Sequence, residues 1–166
     1  MMNESLYLVD VPAKKIKKIE SVQLPLKINP YESNEDLGYY ISPNGQKILR
    51  FIIRSSSMWI YNRATMQWKE VSLKLDVTPA GWSQNGNILY LFDNYNGKII
   101  YQLDTDTGTL KGSIDITNFC DYGGTLAPLL GGDDKMVMLC DTGDSDKTSD
   151  FTTKILLFDR LTNAIT

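Results

Sequence analysis

Catalysis needs side chains that can carry a proton, a metal or a nucleophilic electron pair, and this sequence groups few of them usefully. Histidine is absent from all 166 residues. Its absence removes Ser-His-Asp and Cys-His nucleophile systems, histidine-ligated metals and the usual general base near neutral pH. Gly81-Trp82-Ser83-Gln84-Asn85 approaches the G-x-S-x-G nucleophile elbow. It lacks the closing glycine, however, and leads into an apolar strand-like run where the elbow requires a helix. There is no Walker-type or dinucleotide-binding glycine loop, and Cys120 and Cys140 do not have metal-ligand spacing.

The densest acidic group is Asp141, Asp144, Asp146 and Asp150 in DTGDSDKTSD. Ca²⁺ takes six to eight oxygens, but the spacing is not that of an EF-hand loop and Lys147 sits among the carboxylates. A solvated hairpin loop is the better account. Asp104-Thr105-Asp106-Thr107-Gly108 reads as a strand-to-strand turn with glycine at positive φ. The aromatics Tyr39, Tyr40, Trp59, Trp68, Trp82, Tyr95 and Tyr122 could include rings that recognise sugar or peptide. Trp59 and Trp82 are expected to be wedged in the core, and Tyr95, in DNYNG, to be exposed. The expectation is therefore a protein that is not an enzyme, with no catalytic, cofactor-binding or metal-binding residues.

Composition sets wider bounds. The chain is long enough to bury a substantial core, and 42% hydrophobic against 22% charged residues is a globular balance. The net charge of −3 is too small to point to nucleic acid or membrane as a partner. Residues 1–74 hold 11 Lys/Arg and 7 Asp/Glu, whereas 75–166 hold 6 and 13, a polarity that could draw molecules together head to tail. No leader pattern is visible at the start and no apolar run has membrane-helix length. Two cysteines are too few for a disulfide framework. They are read as reduced, partly buried thiols of a cytoplasmic protein.

The elements behind these residues are short strands. Residues 81–116 read GWSQNGNILYLF, DNYNG, KIIYQLD, TDTG and TLKGSIDI, apolar runs punctuated by Gly, Asn and Asp in the manner of consecutive hairpins. An earlier copy runs over 38–73, with Gly45 to Gly86 a 41-residue step, and a looser one over 122–166. Two outer strands at 6–24 precede them, the second kept soluble by Lys14, Lys15, Lys17 and Lys18. Four segments end alike, LVD at 8–10, IYN at 60–62, QLD at 102–104 and LFD at 157–159. Nothing holds a 3.6-residue apolar period, so helix should be nearly absent.

WSQNGNILYLF…GKIIYQLDTDTG and ISPNGQKILRFIIR resemble the TolB-type, WD-like β-propeller repeat, with W-S-P-D-G, a strand, a hairpin, I-Y-x-x-D and a D-x-x-T-G turn. Asn44 and Asn85 stand where that repeat prefers Asp, and MWIYNRATMQWKEV is similar to a kelch-type blade end. The expected fold is all-β, a single partial domain over 1–166. It would comprise four-stranded antiparallel blades, about 3.5 of them, the last lacking its outer strand. A ring needs 4 to 8, so an edge should pair with another copy or a partner chain. The leading functional expectation is a non-catalytic interaction and assembly module that binds protein partners or its own copies. The alternatives are a propeller domain of a larger enzyme, for instance one resembling a serine peptidase's gating propeller, and a glycan-binding propeller.

Overall fold

The computed structural model describes residues 3–10, 13–23, 37–52, 57–95, 97–128, 135–142, 152–162 and 164–166. The chain divides into two compact units, Met1–Glu35 and Asp36–Thr166. The first is a hairpin of β1 (Asn3–Asp10) and β2 (Lys15–Gln23), in register from Asn3 opposite Gln23 to Asp10 opposite Lys15, with an irregularity at Leu6/Tyr7. Lys14 turns the chain at positive φ, and Lys14 and Lys15 are exposed, as a soluble edge requires.

The second unit consists of three antiparallel sheets of four strands. The first holds β3 (Leu37–Ile41), β4 (Lys47–Ile52), β5 (Ser57–Asn62) and β6 (Gln67–Ser72). The second holds β7 (Val77–Trp82), β8 (Ile88–Asp93), β9 (Ile99–Asp104) and β10 (Thr109–Asp115). The third holds β11 (Tyr122–Pro128), β12 (Lys135–Thr142), β13 (Thr152–Asp159) and β14 (Ala164–Ile165). Each sheet pairs its strands in chain order, the meander of a propeller blade. No helix occurs among the described residues. β7 reaches back to Val77 and admits Pro79 because it borders its sheet and need not donate on both sides. The outer strand expected to be missing from the third blade is present as the two-residue β14.

The turns explain the repeated residues. In the β3–β4 turn the Ser42 hydroxyl accepts from Lys47 N at 2.9 Å and donates to Asn44 Oδ1 at 2.8 Å. Ser83 does the same with Ile88 N and Asn85 Oδ1 in the β7–β8 turn. Gly45 and Gly86 supply the left-handed residue, at φ 68° and 71°. The shared Asp/Asn at the end of the third strand caps the turn that follows. Asn62 Oδ1 accepts from Ala64 N, Asp104 Oδ1 from Asp106 N and Thr107 N, and Asp159 Oδ1 from Leu161 N and Thr162 N. Asn44 departs from the repeat's aspartate for a structural reason. Its Nδ2 donates to Asn85 O at 2.5 Å, joining equivalent turns of neighbouring blades through a donor that a carboxylate lacks.

In the first two blades the forward face meets the blade that follows, and in the second and third the rear face meets the one before. The equivalent faces of every blade keep these names. Leu49, Phe51, Met58 and Ile60 on the first blade's forward face pack with Leu89, Leu91, Leu103 and Trp82 on the second blade's rear face. Tyr90, Ile100 and the partly buried Phe92 then pack forward onto Met136, Met138 and Phe158 of the third blade. Period-two alternation along each strand sends successive residues to opposite faces, so the second sheet belongs to both cores. Gly81 lets β7 lie directly against the β11 backbone, since a Cβ there would fall 2.0 Å from Leu126 O.

One expectation is overturned. Cys120 and Cys140 are buried but not reduced; they form a disulfide with Cα atoms 5.4 Å apart. The bond staples the segment entering β11 to β12, where Cys140 lies opposite Gly123. A sequence separation of 20 says nothing of that proximity, which arises only once β12 folds back beside β11.

Candidate functional site

The forward faces of the three blades correspond position for position. Leu49 and Phe51 of the first match Tyr90 and Phe92 of the second and Val137 and Leu139 of the third; Met58 and Ile60 match Ile100 and Gln102, and Ile155 and Leu157. On the first two blades a following blade covers these residues. Ile100, for instance, is 1% exposed. On the third blade the apolar character persists, but no described residue supplies the cover. Leu139 is 43% exposed, Leu157 44% and Ile155 71%, and Val137 is half-buried. Together they form a contiguous aliphatic strip on two paired strands, with Val137 opposite Leu157 and Leu139 opposite Ile155.

On the first and third blades one end of the forward face carries a cleft. Between the first two blades it measures about 360 Å³ and is lined by Lys47, Ile60, Asn62, Trp68, Lys69 and Asp106, among others. Two lysines of the first blade grip the β9–β10 turn of the second there. Lys47 Nζ donates to Thr105 Oγ1 at 2.7 Å and meets Asp106 Oδ1 at 2.6 Å, while Lys69 Nζ donates to Asp106 O at 2.7 Å. The Lys47 side chain is only 7% exposed, and so desolvated an ammonium needs such partners. The corresponding cleft on the third blade, about 230 Å³, is lined by Lys135, Leu157, Asp159, Thr162, Ala164 and Thr166. Lys135 stands opposite Asp159 as Lys47 stands opposite Asn62, and it is exposed.

Electrostatics at these turns is built on capping. The Lys111 ammonium, 2.6 Å from Asp104 Oδ2, and then the Thr107 and Asp106 amides hold the Asp104 carboxyl well below the usual carboxylate range. Asp159 is also lowered, first by the Thr162 amide and then by that of Leu161, with a smaller contribution from nearby Lys135. Its carboxylate is thus engaged with its own turn. Arg50 is buried on the rear face of the first blade, its Nε donating to Tyr39 Oη and its guanidinium about 6 Å from the Tyr39 and Trp59 ring centres.

The residues singled out from sequence disperse. Ser83 of the elbow-like stretch is buried and capped within its turn, where it can attack nothing. Trp59 and Trp82 are core residues, and Tyr95 is 94% exposed, as expected of each. Asp144, Asp146 and Asp150 lie outside the described residues, as do the side chains of Asp141 and Tyr122. Sequence reasoning passed over Lys47 and Lys135, although lysine opens the second strand in both KILRFI and KMVMLC.

No protein-family model matches the sequence, and no curated protein matches it. Solved structures do. The chain is similar to TolB from Acinetobacter baumannii, with a TM-score of 0.56 and 16% identity over 98% of this chain and 37% of that one. It is also similar to the β-propeller domain of the trilobed protease from Pyrococcus furiosus, described as having an open velcro topology (TM-score 0.51, 14% identity, 95% of this chain and 47% of that one). A third likeness is to acylaminoacyl peptidase from Pyrococcus horikoshii (TM-score 0.54, 16% identity, 99% of this chain and 27% of that one). The chain spans less than half the length of each of these proteins. By its own strand order and by this likeness, the chain has the β-propeller fold, in the TolB-like, WD-like form that its repeats resemble.

Proposed function

We propose that the chain acts as a non-catalytic propeller module that binds a protein partner, or another copy of itself, through the forward face of its third blade. One observation carries the reading: the strip of Leu139, Ile155 and Leu157 is apolar and open at positions that are core elsewhere in the same repeat. Apolar surface grouped on one sheet face is what protein recognition uses, and each aliphatic side chain covered there contributes about 1.5–3 kcal/mol of burial. Sedimentation equilibrium over a concentration series tests it. Alone or with a cyclic peptide of residues 99–115, a hairpin of the second blade, the chain should form species heavier than its 18.8 kDa monomer. Ile155→Glu with Leu157→Glu should abolish them while leaving the fold intact. A bare monomer at every concentration, with and without the peptide, would count against the proposal.

A second reading is a propeller domain working beside a catalytic domain supplied elsewhere. Its support is the likeness to propellers of a protease and a peptidase, together with the lack of a histidine to serve as a base here. Labelling of the native protein by a fluorophosphonate, which marks an activated serine, would favour that reading over the first.

A further inference from the structure

The third blade's cleft also indicates what should fill it. From the match between Lys135 and Lys47 we infer that the open forward face receives a propeller blade whose turn between its third and fourth strands presents an aspartate, as Thr105-Asp106 does. The inference rests on the interaction-module reading and adds the partner's chemistry. Within this chain a lysine at the start of the second strand goes with an acid in the next blade's turn: Lys47 holds Asp106. Where that position is Ile88, buried and apolar, the next blade's turn carries Arg160 and Leu161 instead. Lys135 therefore calls for the acidic type. A second copy offers no such turn at its first blade, where Arg63 and Ala64 occupy the equivalent positions, and its Asp106 is already held by its own Lys47. The face combines an apolar strip with a cation at one end, complementary to a blade with an apolar rear face and an acidic turn.

The test is an NMR titration of the isotope-labelled full chain with a cyclic peptide spanning 99–115, the hairpin that presents Asp106, used once its cross-strand NOEs confirm the hairpin. Shifts should centre on Lys135, Leu139, Ile155 and Leu157. A peptide with Asp106→Asn, or a chain with Lys135→Met, should each bind about tenfold more weakly, and the two changes together no more weakly than either alone. Equal binding of both peptides, lost only with Leu157→Glu, overturns the acidic preference and leaves the module reading in place. A dimer that closes the face against the peptide makes a second copy the occupant, with the same consequence. No shifts and no self-association would overturn both.

Discussion

Replacing Gly81 by alanine tests whether neighbouring blades are seated as described. The added methyl would sit 2.0 Å from Leu126 O, 2.9 Å from Leu126 C and 3.2 Å from Leu126 Cβ. Ordinary contact begins at 3.4 Å, so β7 and β11 must part by more than an ångström. The obstacle is backbone, and no rotamer change relieves it. Parting them loosens the core of Ala80, Tyr90, Leu126 and Met138. Overpacking a close-packed core costs about 1–3 kcal/mol; with backbone on both sides the upper figure applies, about 3 kcal/mol. For a unit of this size that lowers Tm by on the order of 10 °C. Gly112→Ala on β10 is the control, since its Cβ would meet nothing within 4 Å, and its effect should stay within about 0.5 kcal/mol. Urea unfolding followed by the fluorescence of the buried Trp82 reads both. If Gly81→Ala unfolds at the wild-type midpoint, β7 and β11 are not in contact and the blade arrangement is wrong.

Three further outcomes follow from the turns and the disulfide. Asn44→Asp removes the donor to Asn85 O and sets a carboxylate against a carbonyl, so urea unfolding should show a loss of about 1 kcal/mol. Reduction, or Cys120→Ser with Cys140→Ser, releases a loop of 20 residues and should lower stability by about 3 kcal/mol; thiol titration of the untreated, denatured chain should find none free. Asp104 has its pKa depressed on folding, so its stabilising contribution is complete above the unfolded value of about 3.9 and is lost as pH falls below it. Between pH 5 and 3 the wild type should lose more stability than Asp104→Asn, and equal losses would refute the Lys111–Asp104 role.

How much of this was legible depended on whether a feature is local. The Ser-x-Asn-Gly turns and the closing Asp/Asn of each third strand act within five residues, so their spacing announces the strands they cap. The unbroken apolar run of ILYLF announces a strand buried on both faces, and with it a blade on each side. What could not be read joins positions brought together only by stacking. Gly81 meets Leu126 across a blade boundary, Lys47 meets Asp106 at a separation of 59, and Cys120 meets Cys140 after β12 folds back. The open strip was hidden for the opposite reason. In sequence Ile155 looks like any core residue, and only the structure shows that nothing among the described residues covers it.

Ile100 and Ile155 occupy the same position in successive repeats, so comparing their methyl groups in solution tests the central claim most directly. With a soluble paramagnetic agent and a dilute, monomeric sample, the account predicts strong relaxation of the Ile155 methyls and almost none at Ile100. Equal protection of the two in the dilute monomer would mean that the third blade is already covered, and the interaction surface proposed here would not exist.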